Sequence, residues 1–396
     1  MVSGVNFLTA ILLARYLGIE EFGRFTLAWM AVLFANSIQY AMIIAPMMST
    51  GPKQSAAERP AYYGAVVAQQ IVVSVFFFFA VFSGVRLSAV FFPEWRVEGF
   101  ALPLAAAAVA LLSQDFLRRY FFTCRREAVA FANDAIRYLG QIAVLIWLFL
   151  SYPESMDSIK TLWVIAVLAT AAAVYGAFYV ERVEINAATV RRVASRHWHF
   201  SKWLVGSAIL QWCSGNLFTV ASGAVLGSSA VGALKAVHSL MGVTHVLILG
   251  LDNIVPVRAA RNFHVGGKPA LYSYLRRVTF LGGAATGVIA VIAAVVPDFW
   301  LGLVFGEQYS GYGYLLQWFA VVYCFSFFGL PLRAGLRAIE HTRTIFWAYL
   351  WMALFSVIFA YPFVVHFELA GAAAGFIIAY LVSIAVHTHG LRKYTL

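Results

Sequence analysis

The residues with the clearest potential for chemistry are ionisable side chains inside otherwise apolar segments. His238, His245 and Asp252 follow one another at seven-residue intervals, which keeps them on one helix face with a drift of about 20° per step. A column of titratable groups in an apolar helix predicts proton coupling. The alternative is structural, since interhelical hydrogen bonds contribute roughly 0.6 kcal/mol each inside a membrane.

Arg137 is the clearest isolated cation, and it lies well inside another apolar segment. A lone charge at the centre of a membrane helix costs at least ~2.5–3.5 kcal/mol, so a compensating partner is expected. Asp134 at i−3 and Gln141 at i+4 share its helix face, and the spacing therefore predicts a buried, neutralised pair. Contact with a charged ligand is the other interpretation.

Further polar and charged side chains are candidates for binding a ligand. Three groups share helix faces or adjoin the acid of the column: Asn36 with Gln39, Asn253 beside Asp252, and Gln211 with Ser207 and Ser214. Together they predict a hydrogen-bonding wall, in which Asp252 has no basic partner within the preceding turn. Arg15 and Arg24 flank the first outer turn, where they either anchor the helices at the interface or attract an anionic ligand.

The composition places these residues in a membrane protein. The chain is 62% apolar and 11% charged, whereas about a quarter of the residues of a soluble domain are charged. Its mean hydropathy is +0.81. Stretches of about 20 apolar residues predict spanning helices. The predicted segments are 1–14, 25–49, 61–83, 99–117, 128–150, 161–180, 203–226, 237–256, 278–297, 311–332, 345–366 and 368–388.

Charge in the linkers predicts the orientation. Most of the 28 Lys and Arg residues lie at the C-terminus or in linkers that follow even-numbered helices. The few on the opposite face are Arg15, Arg24, Arg86, Arg96, Lys160 and Lys235. The positive-inside rule therefore predicts that both termini are cytoplasmic. Since segment 1–14 is too short to span a bilayer, we expect the native first helix to begin upstream.

Several classes of function are disfavoured. The net charge of +11 is explained by anionic lipid headgroups rather than by nucleic acid, because no soluble module presents a basic patch. Cys124, Cys213 and Cys324 have no metal-ligand or disulfide spacing. No catalytic or nucleotide-binding motif is present, and the longest outer linker, 84–98, is too short for a catalytic domain. We expect no cofactor, no metal and no enzymatic activity.

A shared displacement of 209 residues indicates an internal repeat. Leu17-Gly18 and Gly23 recur as Leu226-Gly227 and Gly232, and Pro60-Ala61 recurs as Pro269-Ala270. Six helices per repeat give two parallel lobes around a central cavity, related by an axis along the membrane normal. The predicted domains are an N-lobe at 1–183 with helices 1–6, a cytoplasmic amphipathic linker at 184–202, and a C-lobe at 203–396 with helices 7–12.

The runs LLARYLGIEEFGRFTLAWM and LGLVFGEQYSG, with the start of the second half, WLVGSAILQWCSGNLFTVASGAVLGSSAVGALKAVHSL, resemble a known family. They resemble the polysaccharide-transporter (Wzx-like) branch of the multidrug/oligosaccharidyl-lipid/polysaccharide exporter superfamily. The resemblance implies a multi-pass protein of the bacterial inner membrane that moves undecaprenyl-diphosphate-linked oligosaccharide to the periplasmic leaflet by alternating access. It implies that helices 1, 2, 7 and 8 line the cavity.

The implied process is the assembly of surface polysaccharide such as O-antigen, a lipopolysaccharide component. Membrane lipids and a glycan polymerase or other assembly proteins are the expected partners. Two alternatives stay open: a cation-coupled multidrug exporter, and a multi-spanning glycan polymerase of the enzyme class. Uncompensated acids and few arginines in the cavity would favour export of cationic drugs, whereas a polymerase would need a long outer loop.

Overall fold

The computed structural model describes residues 2–152 and 155–395, and within them the secondary structure is entirely helical. The principal helices are α1 (Val2–Gln39), α2 (Ala45–Thr50), α3 (Arg59–Phe91), α4 (Ala101–Thr123), α5 (Glu127–Asp134), α6 (Gly140–Ser151), α7 (Ser158–Phe178), α8 (Ala187–Leu226), α9 (Ser228–Leu240), α10 (Gly242–Val295), α11 (Pro297–Phe305), α12 (Gly313–Ala338) and α13 (Arg343–Thr395). Turns of π-helix, Tyr40–Ile44 and Ala135–Leu139, join α1 to α2 and α5 to α6. These elements confirm the predicted all-α membrane fold.

The described residues contain nine helical stretches that are long and apolar enough to cross a membrane. Three of them, Gly4–Lys53, Gly242–Val295 and Arg343–Tyr394, have 50 or more residues each. A straight helix of 50 residues would be about 75 Å long, more than twice the roughly 30 Å of a hydrocarbon core. Each is interrupted by one non-helical residue, at Gly18, Gly267 and Glu368. The interrupted stretches therefore provide twelve helical segments, the predicted number.

The backbone at Gly18 and Gly227 has nearly the same unusual conformation. Their φ/ψ angles are 80°/167° and 85°/179°, in a region that is essentially restricted to glycine. These are the two glycines that the repeat aligns. Pro60 is the second residue of α3, and its repeat partner Pro269 is the second residue after the interruption at Gly267. The repeat found in the sequence thus marks equivalent helix boundaries in the two halves.

The chain divides into two compact units, unit 1 at residues 1–209 and unit 2 at residues 210–396. A core cluster of unit 1 lies mainly on α3 and α4, with further members from α1, the first π-turn, α2, α5 and α8. Its largest buried members are tyrosines and phenylalanines: Tyr62, Tyr63, Phe77, Phe116, Tyr120 and Phe121. Among the described residues of unit 2, one cluster lies between α10, α12 and α13 and another lies around Phe218. Gly375 allows the Phe218 ring to approach, since a Cβ there would lie 2.0 Å from a ring carbon.

The segment predicted as an amphipathic linker, 184–202, is helical in the structure over most of its length. From Ala187 onward it is the first part of α8, which continues as one helix to Leu226. Val193, His197 and Ser201, spaced four residues apart, are buried, so one face of this part of α8 packs against the rest of unit 1. His197 is accordingly 2% exposed, and its Nε2 lies 3.1 Å from the Tyr62 hydroxyl.

Candidate functional site

The most polar part of the described membrane helices is a connected set of side chains in unit 1, which we call the unit 1 polar network. Its members come from four helices and one π-turn: Asn36 and Gln39 of α1, Gln70 and Ser74 of α3, Gln114, Asp115, Arg118 and Arg119 of α4, Asn133 and Asp134 of α5, and Arg137 of the π-turn. Apolar helices that share such a set can exclude lipid while holding charge in the membrane.

Gln114 is at the centre of this network and is fully buried. Its amide nitrogen donates to Asn133 Oδ1 at 2.6 Å and to Asp134 Oδ1 at 3.1 Å. Its amide oxygen accepts from Arg137 Nη1. Asn133 in turn donates to the Ala172 carbonyl of α7 at 2.6 Å. One side chain therefore connects α4, α5, the π-turn and, through Asn133, α7.

Arg137 is partly exposed, and its partners differ from the prediction. Its Nη1 donates a hydrogen bond to Gln114 Oε1, and its Cζ lies 4.3 Å from the centroid of the Tyr138 ring. Arg137 makes no ion pair among the described residues. Asp134 is instead 3.8 Å from Arg118 of α4. The prediction of an Asp134–Arg137 pair was wrong because the π-turn changes the helical register between the two residues and α4 supplies another cation.

Gln141, the other predicted partner of Arg137, also points elsewhere. Its amide nitrogen donates to Thr9 Oγ1 of α1 at 3.2 Å. The i+4 rule applies to a regular α-helix, whereas residues 135–139 are a π-turn. The side chains on either side of this turn therefore face different neighbours.

Asp115 is the second carboxylate of the network and has two cations beside it. Arg118 Nη1 lies 3.6 Å and Arg119 Nε lies 3.7 Å from Asp115 Oδ1. Asn36 Nδ2 lies 3.5 Å from Asp115 Oδ2. The side chains of Arg118 and Asp115 are only 14% and 12% exposed, so these charges interact in a poorly solvated environment.

An uncharged branch extends from this cluster. Gln39 is fully buried and donates to Gln70 Oε1 at 2.8 Å and to the Leu112 carbonyl at 2.7 Å. Gln70 then donates to Ser74 Oγ at 2.9 Å. Asn36 and Gln39 had been predicted as a polar wall, and the structure brings both together with Arg137 in one network.

Seven members of the network were not among the predicted residues: Gln70, Ser74, Gln114, Asp115, Arg118, Arg119 and Asn133. Gln114 and Asp115 lie within the predicted segment 99–117, where an amide and an acid side by side were a usable signal of a polar site. Arg118 and Arg119 had been assigned to a linker, because the predicted helix ended at residue 117. α4 continues to Thr123, which places both arginines on the helix next to Asp115.

The two arginines at the first turn have different surroundings. Arg24 pairs with Glu20 and Glu21, so its charge is compensated by the preceding turn of the same helix. Its side chain is only 13% exposed. Arg15 is exposed. The charge of Arg24 at the first outer turn is therefore compensated, and the anion-binding role of both residues stays a prediction.

In unit 2 the predicted column does not lie on one helix. His238 belongs to α9 and Asp252 to α10, and the helices are separated at Met241. The His238 ring is 3.5 Å from the Tyr323 hydroxyl, while the His245 side chain lies outside the described part of the structure. The seven-residue spacing alone could not reveal this interruption.

Asp252 has no basic residue in the preceding turn of its own helix, and the structure places a basic partner on another helix. Arg337 of α12 places Nη1 3.6 Å from Asp252 Oδ1. Both side chains are more than one-third exposed, so the pair contributes little to stability. Asn253 is exposed and donates to the Leu249 carbonyl of its own helix, and Gln211 is exposed. Their role as ligand-binding residues stays a prediction.

The described residues contain no group of His, Cys, Asp and Glu side chains that could hold a metal ion. All three cysteines are free thiols. Burial raises the pKa of the Cys124 thiol, which lies between α4 and α5 outside the apolar spans, so the thiol stays protonated. The chemistry of the site is therefore that of amides, carboxylates and guanidinium groups.

Comparison with known proteins agrees with this membrane fold. The family described as MatE matches residues 204–362, which is less than half of the chain. No curated protein sequence is similar enough to this chain to match it.

Solved structures match over nearly the full length. One is an inward-facing multidrug resistance MATE family transporter of the MOP superfamily, with a TM-score of 0.76 and 14% identity over 98% of this chain and 94% of that one. Another is the lipid II flippase MurJ in an inward closed conformation, with a TM-score of 0.68 and 15% identity over 98% and 85%.

A third similar structure is a MOP superfamily transporter from Pyrococcus furiosus Vc1, described as having a binding pocket of reverse polarity. It has a TM-score of 0.66 and 12% identity over 100% of this chain and 94% of that one. At such identities the similarity concerns the fold. The chain has the all-α membrane fold shared by MATE transporters and MurJ.

Proposed function

We propose that this protein is a membrane transporter of the MOP superfamily that carries an amphipathic molecule with an anionic group, and that the unit 1 polar network receives this group. The observation that carries the proposal is the charge of the network. It holds Arg118, Arg119 and Arg137 against Asp115 and Asp134, and Arg137 makes no ion pair among the described residues. A guanidinium held in a poorly solvated place attracts phosphate or carboxylate strongly.

Within this class, the sequence resemblance favours a flippase for undecaprenyl-diphosphate-linked oligosaccharide. The match to the fold of the lipid II flippase MurJ is compatible with that substrate. A diphosphate carries negative charge, and moving each charge outward across an inside-negative membrane gains about 2.3 kcal/mol per 100 mV. Membrane potential could drive export in the predicted orientation, from the cytoplasmic to the periplasmic leaflet of a bacterial inner membrane.

A cation-coupled multidrug exporter is the second candidate, and the comparisons favour it over the flippase. The MatE family match and the multidrug resistance transporter with a TM-score of 0.76 both support it. Asp115 and Asp134 would be its cation-coupling acids. The charges of unit 1 weigh against a cationic drug, since both acids lie beside arginines and arginine is in excess.

Transport assays in proteoliposomes distinguish the two candidates. The wild-type chain is reconstituted, and an inside-negative potential or a pH gradient is imposed. The two cargoes are a fluorescent undecaprenyl-diphosphate oligosaccharide and ethidium, a small lipophilic cation. We expect movement of the anionic lipid-linked cargo and none of ethidium. Ethidium transport without movement of the lipid-linked cargo would replace the proposal with the multidrug exporter.

A further inference from the structure

A cavity at one end of unit 2 contains no residue of the unit 1 polar network. Its volume is about 530 Å³, within the range of about 300–1,000 Å³ typical of small-molecule sites. It opens between three helix regions: the part of α10 that follows the interruption at Gly267, which we call the second segment of α10, the end of α12 and the end of α13. The lining that matters here consists of Tyr272, Leu275, Arg276, Thr279, Leu332 and Leu391.

The lining combines apolar and cationic chemistry. Leu275, Leu391 and the neighbouring Pro331 are buried members or neighbours of the leucine-rich core of unit 2. Arg276 is exposed, makes no ion pair among the described residues, and no acidic side chain is found in the described lining. The cavity therefore offers an apolar wall and one uncompensated positive charge.

The position of Arg276 along its helix sets the level of this charge relative to a membrane. Residues 278–295, which follow Arg276 and Arg277, contain no charged side chain and form the apolar part of the second segment of α10. Arg276 consequently lies where the charged part of the helix meets the apolar part. This is the level at which a bilayer places phosphate groups.

We propose that this cavity binds one anionic phospholipid, with the phosphate on Arg276 and an acyl chain against Leu275, Leu332 and Leu391. An acyl chain matches the apolar wall, and the phosphate accepts charge-assisted hydrogen bonds from the guanidinium. The headgroup is anionic rather than zwitterionic because the Arg276 guanidinium attracts a net negative charge and repels the ammonium group of a zwitterionic headgroup.

Native mass spectrometry tests this site without any transport measurement. The full chain is placed in nanodiscs with equal amounts of phosphatidylglycerol and phosphatidylcholine, and the lipid that stays bound on release is identified. We expect the wild type to retain phosphatidylglycerol at least about tenfold more than phosphatidylcholine, because both lipids offer a phosphate but only phosphatidylcholine brings a cation close to Arg276. Arg276→Gln should lose the preference, and Arg276→Lys should keep most of it.

Arg277→Gln is the matched control, because it removes the same charge from the adjacent residue, which does not line the cavity. It should keep the preference, whereas Leu332→Trp, which narrows the cavity, should lower retention of both lipids. The thermal unfolding midpoint of each variant establishes that it is folded. Equal retention of the two lipids by the wild type would overturn the proposal, as would equal effects of the two Gln variants. Displacement of the lipid by inorganic phosphate would show a headgroup site without an acyl chain and would also overturn it.

Discussion

At the scale of single residues, Gln114 is the side chain on which the unit 1 polar network depends most. It is fully buried and uses both ends of its amide, toward Asn133 and Asp134 on one side and Arg137 on the other. A buried donor or acceptor that loses its partner costs about 1–3 kcal/mol, and more when the group is charged. Removing the Gln114 amide leaves Asn133, Asp134 and Arg137 each without one hydrogen-bond partner.

We therefore expect Gln114→Leu to lower the free energy of unfolding by about 3 kcal/mol, since Arg137 and Asn133 would each lose a hydrogen bond. The measurement is the thermal unfolding midpoint of the purified protein in detergent. Gln69→Leu is the control, because within the described part of the chain the Gln69 amide bonds only to the Ala65 carbonyl of its own helix, and a change within about 0.5 kcal/mol is expected there. Equal effects of the two substitutions would show that Gln114 is not central.

Some residues of the unit 1 polar network could be predicted from the sequence, and their partners could not. Asn36, Gln39 and Arg137 were recognised because polar residues in apolar segments are conspicuous. Their partners were not, because Asp115, Arg118 and Gln114 lie on another helix, and contacts between helices depend on packing that a single sequence does not specify. The sequence did not reveal the π-turn either, and this turn is the reason why Asp134 lies beside Arg118 and not beside Arg137.

At the scale of elements, two glycines determine where the first helix of each half ends. Gly18 and Gly227 have positive φ and extended ψ, a conformation that costs other residues about 1–3 kcal/mol. Their positions were predictable from the LGxxxxG repeat, because a glycine that recurs at a fixed displacement indicates a recurring backbone requirement. The interruption at Glu368 was placed only as a boundary between predicted segments 345–366 and 368–388, since no glycine or proline marks that residue.

We expect Gly18→Ala and Gly227→Ala each to destabilise the protein by about 1–3 kcal/mol, because alanine must adopt the strained conformation. Gly206→Ala is the matched control: Gly206 lies within α8, and a Cβ there meets no atom within 4 Å. That substitution should stabilise by about 0.4–1 kcal/mol through the unfolded state. Thermal unfolding in detergent measures all three, and a neutral effect at Gly18 and Gly227 would refute the turn geometry.

At the scale of the whole molecule, composition and hydropathy were sufficient to predict an all-helical membrane protein with twelve segments. Hydropathy succeeds because every backbone polar group in a bilayer must be satisfied internally, which restricts apolar spans to helices here. The long α8 was not predicted, because the change from a charged to an apolar sequence near residue 203 does not require the helix to end there. The orientation in the membrane is predicted from the charge of the linkers alone.

The predicted orientation can be checked by labelling cysteines. In a chain whose native cysteines are replaced by serine, we expect Glu307→Cys to react with a membrane-impermeant maleimide on intact cells and Glu340→Cys to react only after permeabilisation. Both positions are exposed, and the positive-inside rule assigns them to opposite faces. The reverse pattern would place the termini on the outer face and would invert the proposed direction of export.

The central claim is that a charged group of the cargo passes through the unit 1 polar network, and the transport rate of Arg137→Gln tests it most directly. Arg86→Gln is the control, since it removes the same charge at an exposed position of α3 outside the network. In proteoliposomes with the fluorescent undecaprenyl-diphosphate oligosaccharide, we predict that Arg137→Gln slows transport at least about tenfold, as loss of one charge-assisted contact implies, and that Arg86→Gln transports like the wild type. Transport by folded Arg137→Gln at the wild-type rate would contradict the account.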